Sequence, residues 1–189
     1  RRAQRGEAGE LRIGFTFSTP LTPLFAAVIN RYRSEYPAVS LMVQEMATLR
    51  QLEGLEQRTL DLGFIRPPDR PVADVIECAA LRQDPLMAIL PSSLPLASKA
   101  AVQIRDLEGL PFVMYPPNAG TGIYPQIFRL CRDAGFVPKI AHEAGEASTI
   151  IGLVAAGCGV SVLPAAFDRI RMDGVTYRPI LDEGAKTTL

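Results

Sequence analysis

Hydroxyl side chains and one arginine stand where the sequence changes from a strand-like to a helix-like or loop pattern. Ser18 and Thr19 follow the first such strand, Thr48 follows the second, and Arg66 follows the third. Helix N-termini present backbone amides with partial positive charge, and a guanidinium can bind a carboxylate through two parallel hydrogen bonds. The spacing therefore predicts a binding site for a small carboxylate at one edge of a sheet.

Each of these residues also has a purely structural interpretation. Ser18 or Thr19 is a natural N-cap for a helix whose first residue is Pro20. Thr48 and Gln51 fit a capping box, in which each side chain bonds a free amide of the other's segment. Arg66 alone would be a solvated loop residue, so the binding hypothesis depends on all of them meeting at one sheet edge.

Residues that could perform catalysis or hold a metal are scarce. The only histidine, His142, falls in a predicted strand, and no G-x-S-x-G elbow is present. Cys78, Cys131 and Cys158 are scattered without a C-x-x-C pair, so we expect neither disulfides nor a zinc site, but three small buried side chains. We therefore predict no catalytic residues, no metal and no cofactor.

Predicted strands and helices alternate along the first third of the chain, around the residues of the predicted carboxylate site. Apolar spacing predicts strands over residues 11–15, 39–46 and 61–65, with helices over 20–36 and about 49–55 between them. Two strand-helix units followed by a strand imply a parallel sheet with right-handed crossovers. Ligands of such sheets bind at the carboxyl ends of the strands.

A second α/β set follows a proline-rich loop over residues 66–74. We predict that it forms a second small parallel sheet, which would place a ligand cleft between the two units. The predicted strands cover 86–90, 112–115, 139–143, 160–163 and 175–180, and the predicted helices cover 124–134, 149–156 and 165–171. Arg82 and Asp84 lie on the connection between the units, where a salt bridge is favoured over a ligand contact.

Composition limits the class of protein further. The 189 residues are 48% hydrophobic and 21% charged, with 20 basic and 20 acidic side chains, which indicates a globular domain and argues against direct nucleic-acid binding. Residues 147–167 carry no charge, but glycines and Pro164 interrupt them, so we expect no membrane span. Unpaired cysteines suit a reducing, cytoplasmic location.

Several segments resemble the effector-binding domain of LysR-type transcriptional regulators. The resemblance covers about residues 9–189, and its most specific part is 153–164 (LVAAGCGVSVLP). The other matching segments are 9–14 (GELRIG), 36–39 (YPAV), 60–64 (LDLGF), 94–97 (LPLA), 106–107 (DL) and 135–138 (GFVP). This resemblance implies an α/β fold of two Rossmann-like subdomains with a ligand cleft between them, the type 2 periplasmic-binding-protein-like arrangement.

The resemblance also implies a division of the chain and a set of partners. Residues 1–10 would be a linker from a missing N-terminal DNA-binding domain, 11–82 with about 184–189 subdomain I, and 83–183 subdomain II. The full-length protein would be a cytoplasmic homodimer or tetramer that binds promoter DNA and activates transcription when an effector binds.

Within the family, the chain is most similar to regulators of aromatic degradation that sense cis,cis-muconate, chloromuconates or benzoate. Residues 45–48 (EMAT) and 63–66 (GFIR), with Tyr115-Pro116 and Leu181-Asp182, carry this similarity. It implies an effector site at Phe17, Ser18, Thr19, Thr48, Arg66 and Ile123, and a secondary benzoate site near Arg82 and Asp84.

Three other functions are consistent with the same residues. An extracytoplasmic solute-binding protein would share the two lobes and the anion chemistry, and an upstream signal segment would distinguish it from a regulator. An enzyme acting on the same metabolites would turn over its ligand. A domain that serves only oligomerisation would bind no effector.

Overall fold

The structure, a computed structural model, describes residues 9–68 and 71–189. The described chain forms two compact units, one reaching to Ala80 and including Leu189, the other running from Leu81 to Thr188. Most of the predicted linker over 1–10 lies outside the described residues, and Gly9 and Glu10 already belong to the first strand. The subdomain boundaries drawn from the sequence stay a prediction.

The first unit is a three-stranded parallel sheet with two helices. Strand β1 (Gly9–Phe15) lies between β2 (Val39–Glu45) and β3 (Leu62–Phe64), and both neighbours run parallel to it. Helix α1 (Pro23–Glu35) connects β1 to β2, and α2 (Thr48–Glu56) connects β2 to β3. The alternation predicted from the sequence is confirmed, including the parallel pairing.

Successive residues of β1 point to opposite faces of this sheet. Ile13 packs with Phe64 and Leu189 in a small core, against which partly buried side chains of α1 such as Phe25 and Ile29 pack. Gly14 faces the other way, toward α2. The period-two alternation of a strand thus gives each helix its own face.

The predicted start of α1 is wrong, whereas α2 begins within one residue of its predicted start. Helix α1 begins after the N-cap Thr22, with Pro23 as its first residue, and not after Ser18 or Thr19. The chain first makes two consecutive turns, in which the amides of Thr19 and Thr22 donate to the carbonyls of Thr16 and Thr19. Proline suits the first helical position equally well at 20 and at 23, so local sequence did not choose between them.

The second unit contains six strands and two helices. The strands are β4 (Gln83–Pro91), β5 (Pro111–Met114), β6 (Lys139–Glu143), β7 (Ser161–Pro164), β8 (Val175–Pro179) and β9 (Lys186–Thr188). Helices α3 (Ile123–Asp133) and α4 (Ala147–Ala155) match the predicted ones within two residues. The predicted helix over 165–171 is a short 3-10 helix, Ala165–Arg169.

Strand direction in the second unit differs from the prediction. Strand β4 pairs antiparallel with β7, β8 and β9, whereas β5 pairs parallel with β6 and through a parallel bridge with Val160, the residue before β7. The expected second parallel sheet is therefore a mixed arrangement. A run of apolar residues shows that a strand is buried, but it does not encode which way the neighbouring strand runs.

The core of the second unit surrounds β4, β5 and α3. Leu86, Leu90 and Phe112 are fully buried in it, together with Cys131 of α3. The predicted burial of all three cysteines is wrong for Cys78, which is exposed, while Cys158 is half-buried, and all three are free thiols. Burial raises the pKa of the Cys131 thiol to about 12. None of the described helices is long and apolar enough to cross a bilayer.

Candidate functional site

Arg66 and Ser18 meet in the first unit although 48 residues separate them in the chain. The Arg66 Nε donates a hydrogen bond to the Ser18 Oγ at 2.9 Å. Both side chains are buried, with 8% and 4% of their residues' surfaces exposed. They follow β3 and β1, whose carboxyl ends meet at the same sheet edge, as the sequence predicted.

Thr48 joins the same cluster from the end of β2. Its Oγ1 donates to the backbone carbonyl of Arg66 at 3.3 Å, and the residue is 1% exposed. The predicted capping box is wrong, because Ala47 is the N-cap of α2 and no side chain caps that helix. The Thr48 hydroxyl is turned to the loop after β3, where a partner 18 residues away satisfies it.

Thr19 lies within the turns that connect β1 to α1. It is fully buried, and its Oγ1 lies 2.9 Å from the Oγ1 of Thr16, whose amide donates to the Phe64 carbonyl. Phe17 is half-buried in the same turns. We call Ser18, Thr19, Thr48 and Arg66 the Arg66 site: at the carboxyl ends of three parallel strands, the buried Arg66 guanidinium bonds the Ser18 hydroxyl, the Arg66 backbone carbonyl bonds the Thr48 hydroxyl, and Thr19 is buried in the neighbouring turn.

Gln51 is a residue near this site whose contacts the sequence interpretation missed. It is fully buried on α2, and its Nε2 donates to the Met46 carbonyl at 2.9 Å. In a capping box the glutamine would instead accept a hydrogen bond from the N-cap amide. A polar residue at i+3 from Thr48, on the same helix face as Leu52 and Leu55, was the available signal.

The remaining predicted site residues belong to the second unit. Ile123, the first residue of α3, is 6% exposed and packs in that unit's core. Arg82 and Asp84 form an ion pair with 2.6 Å between Nε and Oδ1, and the Asp84 side chain is buried. The favoured salt bridge is confirmed, whereas the contribution of these three residues to effector binding stays a prediction.

The described residues hold no metal cluster, and the pocket in the first unit lies apart from the Arg66 site. Among residues 9–68 and 71–189, no three histidine, cysteine, aspartate or glutamate side chains lie close enough together to hold a metal ion. A pocket of about 470 Å³ lies near the carboxyl end of α1, lined by Asn30, Arg33, Ser34, Pro37 and Val39. It shares no residue with the Arg66 site.

Comparison with known proteins identifies the family. The family described as "LysR substrate binding domain" matches residues 4–189. The chain belongs to this LysR family. Its fold is accordingly the type 2 periplasmic-binding-protein-like, mixed α/β fold.

Relatives of this LysR domain are named as regulators. The chain is 43% identical over 184 residues to the "Uncharacterized HTH-type transcriptional regulator YnfL" of Escherichia coli (strain K12), covering 97% of this chain and 61% of that protein. It is 35% identical over 177 residues to the "HTH-type transcriptional regulator AlsR" of Bacillus subtilis (strain 168), covering 94% and 58%. The chain thus spans about three fifths of these relatives.

A solved structure of another family member supports the same assignment. The "BenM effector binding domain with its effector benzoate" superposes with a TM-score of 0.85 at 31% sequence identity. The match covers 95% of this chain and 81% of that one. The LysR assignment thus holds for sequence and for fold.

Proposed function

We propose that this chain is the effector-sensing domain of a LysR-type transcriptional regulator and binds a small carboxylate at the Arg66 site. The contact between the Arg66 guanidinium and the Ser18 hydroxyl, buried at the carboxyl ends of β1 and β3, carries the proposal. Guanidinium and hydroxyl groups both donate hydrogen bonds to a carboxylate, and charge-assisted bonds are stronger away from bulk water.

The effector class follows from this chemistry and from the family. One relative in this family was solved with benzoate as its effector, which favours a benzoate-like or cis,cis-muconate-like carboxylate here. Phe17 and Ile123 would contact the body of the effector, and Arg82 with Asp84 would form a secondary site. The ligand cleft between the two units stays a prediction from the sequence.

The proposed output is a change in transcription. An effector can shift the domain only by its preference for one conformation over another. In the full-length protein this shift would be relayed to promoter DNA through an N-terminal DNA-binding domain in a cytoplasmic homodimer or tetramer, and it would activate genes of aromatic catabolism. The names of the relatives favour a regulator over a solute-binding protein or an enzyme.

Calorimetric titration of the chain with benzoate, cis,cis-muconate and 2-chloromuconate tests the proposal. We expect saturable binding of at least one acid and none of its neutral methyl ester. Arg66→Ala should weaken this binding roughly 10- to 150-fold, because a charge-assisted hydrogen bond contributes about 1.5 to 3 kcal/mol. Arg66→Lys keeps the charge but loses the planar fork, so we expect only partial recovery.

Arg50→Ala is the matched control for these variants. Arg50 also belongs to the first unit, but it is exposed on α2 and pairs with Glu53 at 2.9 Å. Its removal should leave the affinity unchanged. Wild-type affinity in Arg66→Ala would remove Arg66 from the site, and the absence of any acid binding by the unaltered chain would overturn the carboxylate class.

A further inference from the structure

We infer that Gln51 is a positioning residue of the Arg66 site, whose buried amide fixes the turn that presents Thr48. The inference rests on the proposed function, because it assigns Gln51 an effect on the binding of the effector. Gln51 lies on the inner face of α2 and is completely buried. Gln51 lies on a helix and not at the end of a strand, unlike Thr48 and Arg66, which follow β2 and β3.

The turn before Thr48 is held from two sides. The Met46 amide donates to the Phe15 carbonyl at 2.9 Å, which ties the turn to the end of β1. The Met46 carbonyl accepts the hydrogen bond from the Gln51 Nε2 at 2.9 Å, and the Gln51 amide donates to the Ala47 carbonyl at 3.1 Å. Thr48 is the next residue, so its hydroxyl reaches the Arg66 carbonyl from a turn with little freedom.

Two glycines provide the space that Gln51 occupies. Gly14 of β1 and Gly63 of β3 are register partners, so they lie side by side on the face toward α2. A Cβ at Gly14 would lie 2.9 Å from the Gln51 Cγ, and one at Gly63 would lie 2.9 Å from the Gln51 Oε1. Real Cβ contacts are essentially never that short, so a side chain at either glycine would force Gln51 to shift from this position. The Gln51 side chain bonds the Met46 carbonyl in the turn before Thr48 and lies against Gly63 of β3. Strand β3 leads to Arg66, so Gln51 lies between the two segments that carry Thr48 and Arg66.

The choice of glutamine needs a reason beyond packing. The Gln51 Oε1 is buried and accepts no hydrogen bond among the described residues. A buried acceptor without a partner destabilises the folded state, and an apolar side chain of the same length would avoid that cost. What an apolar side chain would not supply is the donor for the Met46 carbonyl.

Gln51→Met tests the inference, because methionine has nearly the same length but no donor. We expect hydrogen exchange of the Met46 amide, followed by NMR, to accelerate by roughly tenfold while the chain stays folded. Affinity for the acid that binds best among benzoate, cis,cis-muconate and 2-chloromuconate should fall roughly 3- to 10-fold, the equivalent of one neutral hydrogen bond. In a Thr48→Val background the same substitution should have no further effect on affinity, because Gln51 acts through Thr48.

Leu52→Met is the matched control, since Leu52 is the next residue, is 2% exposed and is buried on α2 like Gln51. It should change stability but neither Met46 exchange nor affinity. Unchanged Met46 exchange in Gln51→Met, equal effects in both variants, or an affinity loss that adds to that of Thr48→Val would overturn the inference. If the unaltered chain binds none of the acids, the proposed function fails, and the Met46 exchange rate still decides whether Gln51 fixes the turn.

Discussion

Asp61, the residue before β3, accepts three hydrogen bonds from Arg12 of β1. Its Oδ2 accepts from the Arg12 amide at 2.8 Å and from Nε at 2.9 Å, and its Oδ1 accepts from Nη2 at 2.9 Å. These hydrogen bonds hold the pKa of Asp61 below its ordinary value, with the side-chain bond as the largest cause. The carboxylate therefore stabilises the folded state above the unfolded-state pKa of aspartate, and this contribution is lost as the pH falls through the lower folded-state pKa.

Asp61→Asn should lower the free energy of unfolding at pH 7 by about 1 kcal/mol or less. The effect is small because the side chains of Arg12 and Asp61 are 38% and 35% exposed, so water screens the pair. The difference from the unaltered chain should shrink toward pH 3, because Asp61 of the unfolded chain takes up a proton below about pH 3.9. Urea titrations at both pH values measure it, with Asp173→Asn on an exposed turn as the control. A difference that grows in acid would contradict the assignment.

At the scale of elements, the connection from α4 to β7 depends on a close approach between two backbones. Gly157 ends the helix with a φ of +79°, and Gly159 follows with a φ of +155°. A Cβ at Gly159 would overlap the Pro111 carbonyl oxygen. That oxygen accepts a hydrogen bond from the Val160 amide at 2.8 Å, and the Val160 carbonyl accepts one from the Val113 amide at 2.8 Å. Glycine at 159 therefore lets β5 pair with Val160, the residue immediately before β7.

Gly159→Ala should destabilise the chain by more than about 2 kcal/mol, because it adds a backbone clash to an unfavourable φ. Gly145→Ala is the control: Gly145 is exposed in the loop before α4, and a Cβ there would meet nothing within 4 Å. We expect a change of at most about 0.5 kcal/mol for that variant. Chemical denaturation compares the two. Equal stabilities would show that the contact with Pro111 does not restrict this position.

The balance of charge over the whole chain bears on whether this chain could bind DNA directly. The chain carries 20 basic and 20 acidic side chains and has no net charge at pH 7. Duplex DNA is bound largely through neutralisation of phosphates by basic side chains, with a strong dependence on salt. The chain also spans only 61% of the YnfL relative, which is named as a helix-turn-helix regulator. The charge balance therefore argues against phosphate-driven binding of duplex DNA by this chain.

This chain should show no saturable binding to duplex DNA at roughly 150 mM salt, with or without benzoate. Fluorescence anisotropy of a labelled duplex that carries the protein's own promoter measures it, and the full-length protein on the same duplex serves as the positive control. Specific binding by the chain alone, with an affinity that falls steeply with added salt, would contradict the prediction.

Local periodicity and chain order were enough to predict several features of this protein from its residues alone. Alternation of strand and helix patterns gave the parallel sheet of the first unit and placed Ser18, Thr48 and Arg66 at its carboxyl edge. The segment over 153–164 carried the LysR resemblance that the comparison confirmed. Periodicity suffices here because burial of one face follows directly from the spacing of apolar residues.

Features that join residues far apart in the chain became visible only in the folded protein. The antiparallel direction of β7, β8 and β9 beside β4, the bond from Arg66 to Ser18, and the space that Gly14 and Gly63 leave for Gln51 are of this kind. The N-cap of α2 belongs with them. The Thr48 hydroxyl donates to the Arg66 carbonyl, and Ala47 occupies the cap position that the local sequence assigned to Thr48. Local sequence ranks the partners within a few residues, but a buried donor takes whichever acceptor the long-range strand pairing brings to it.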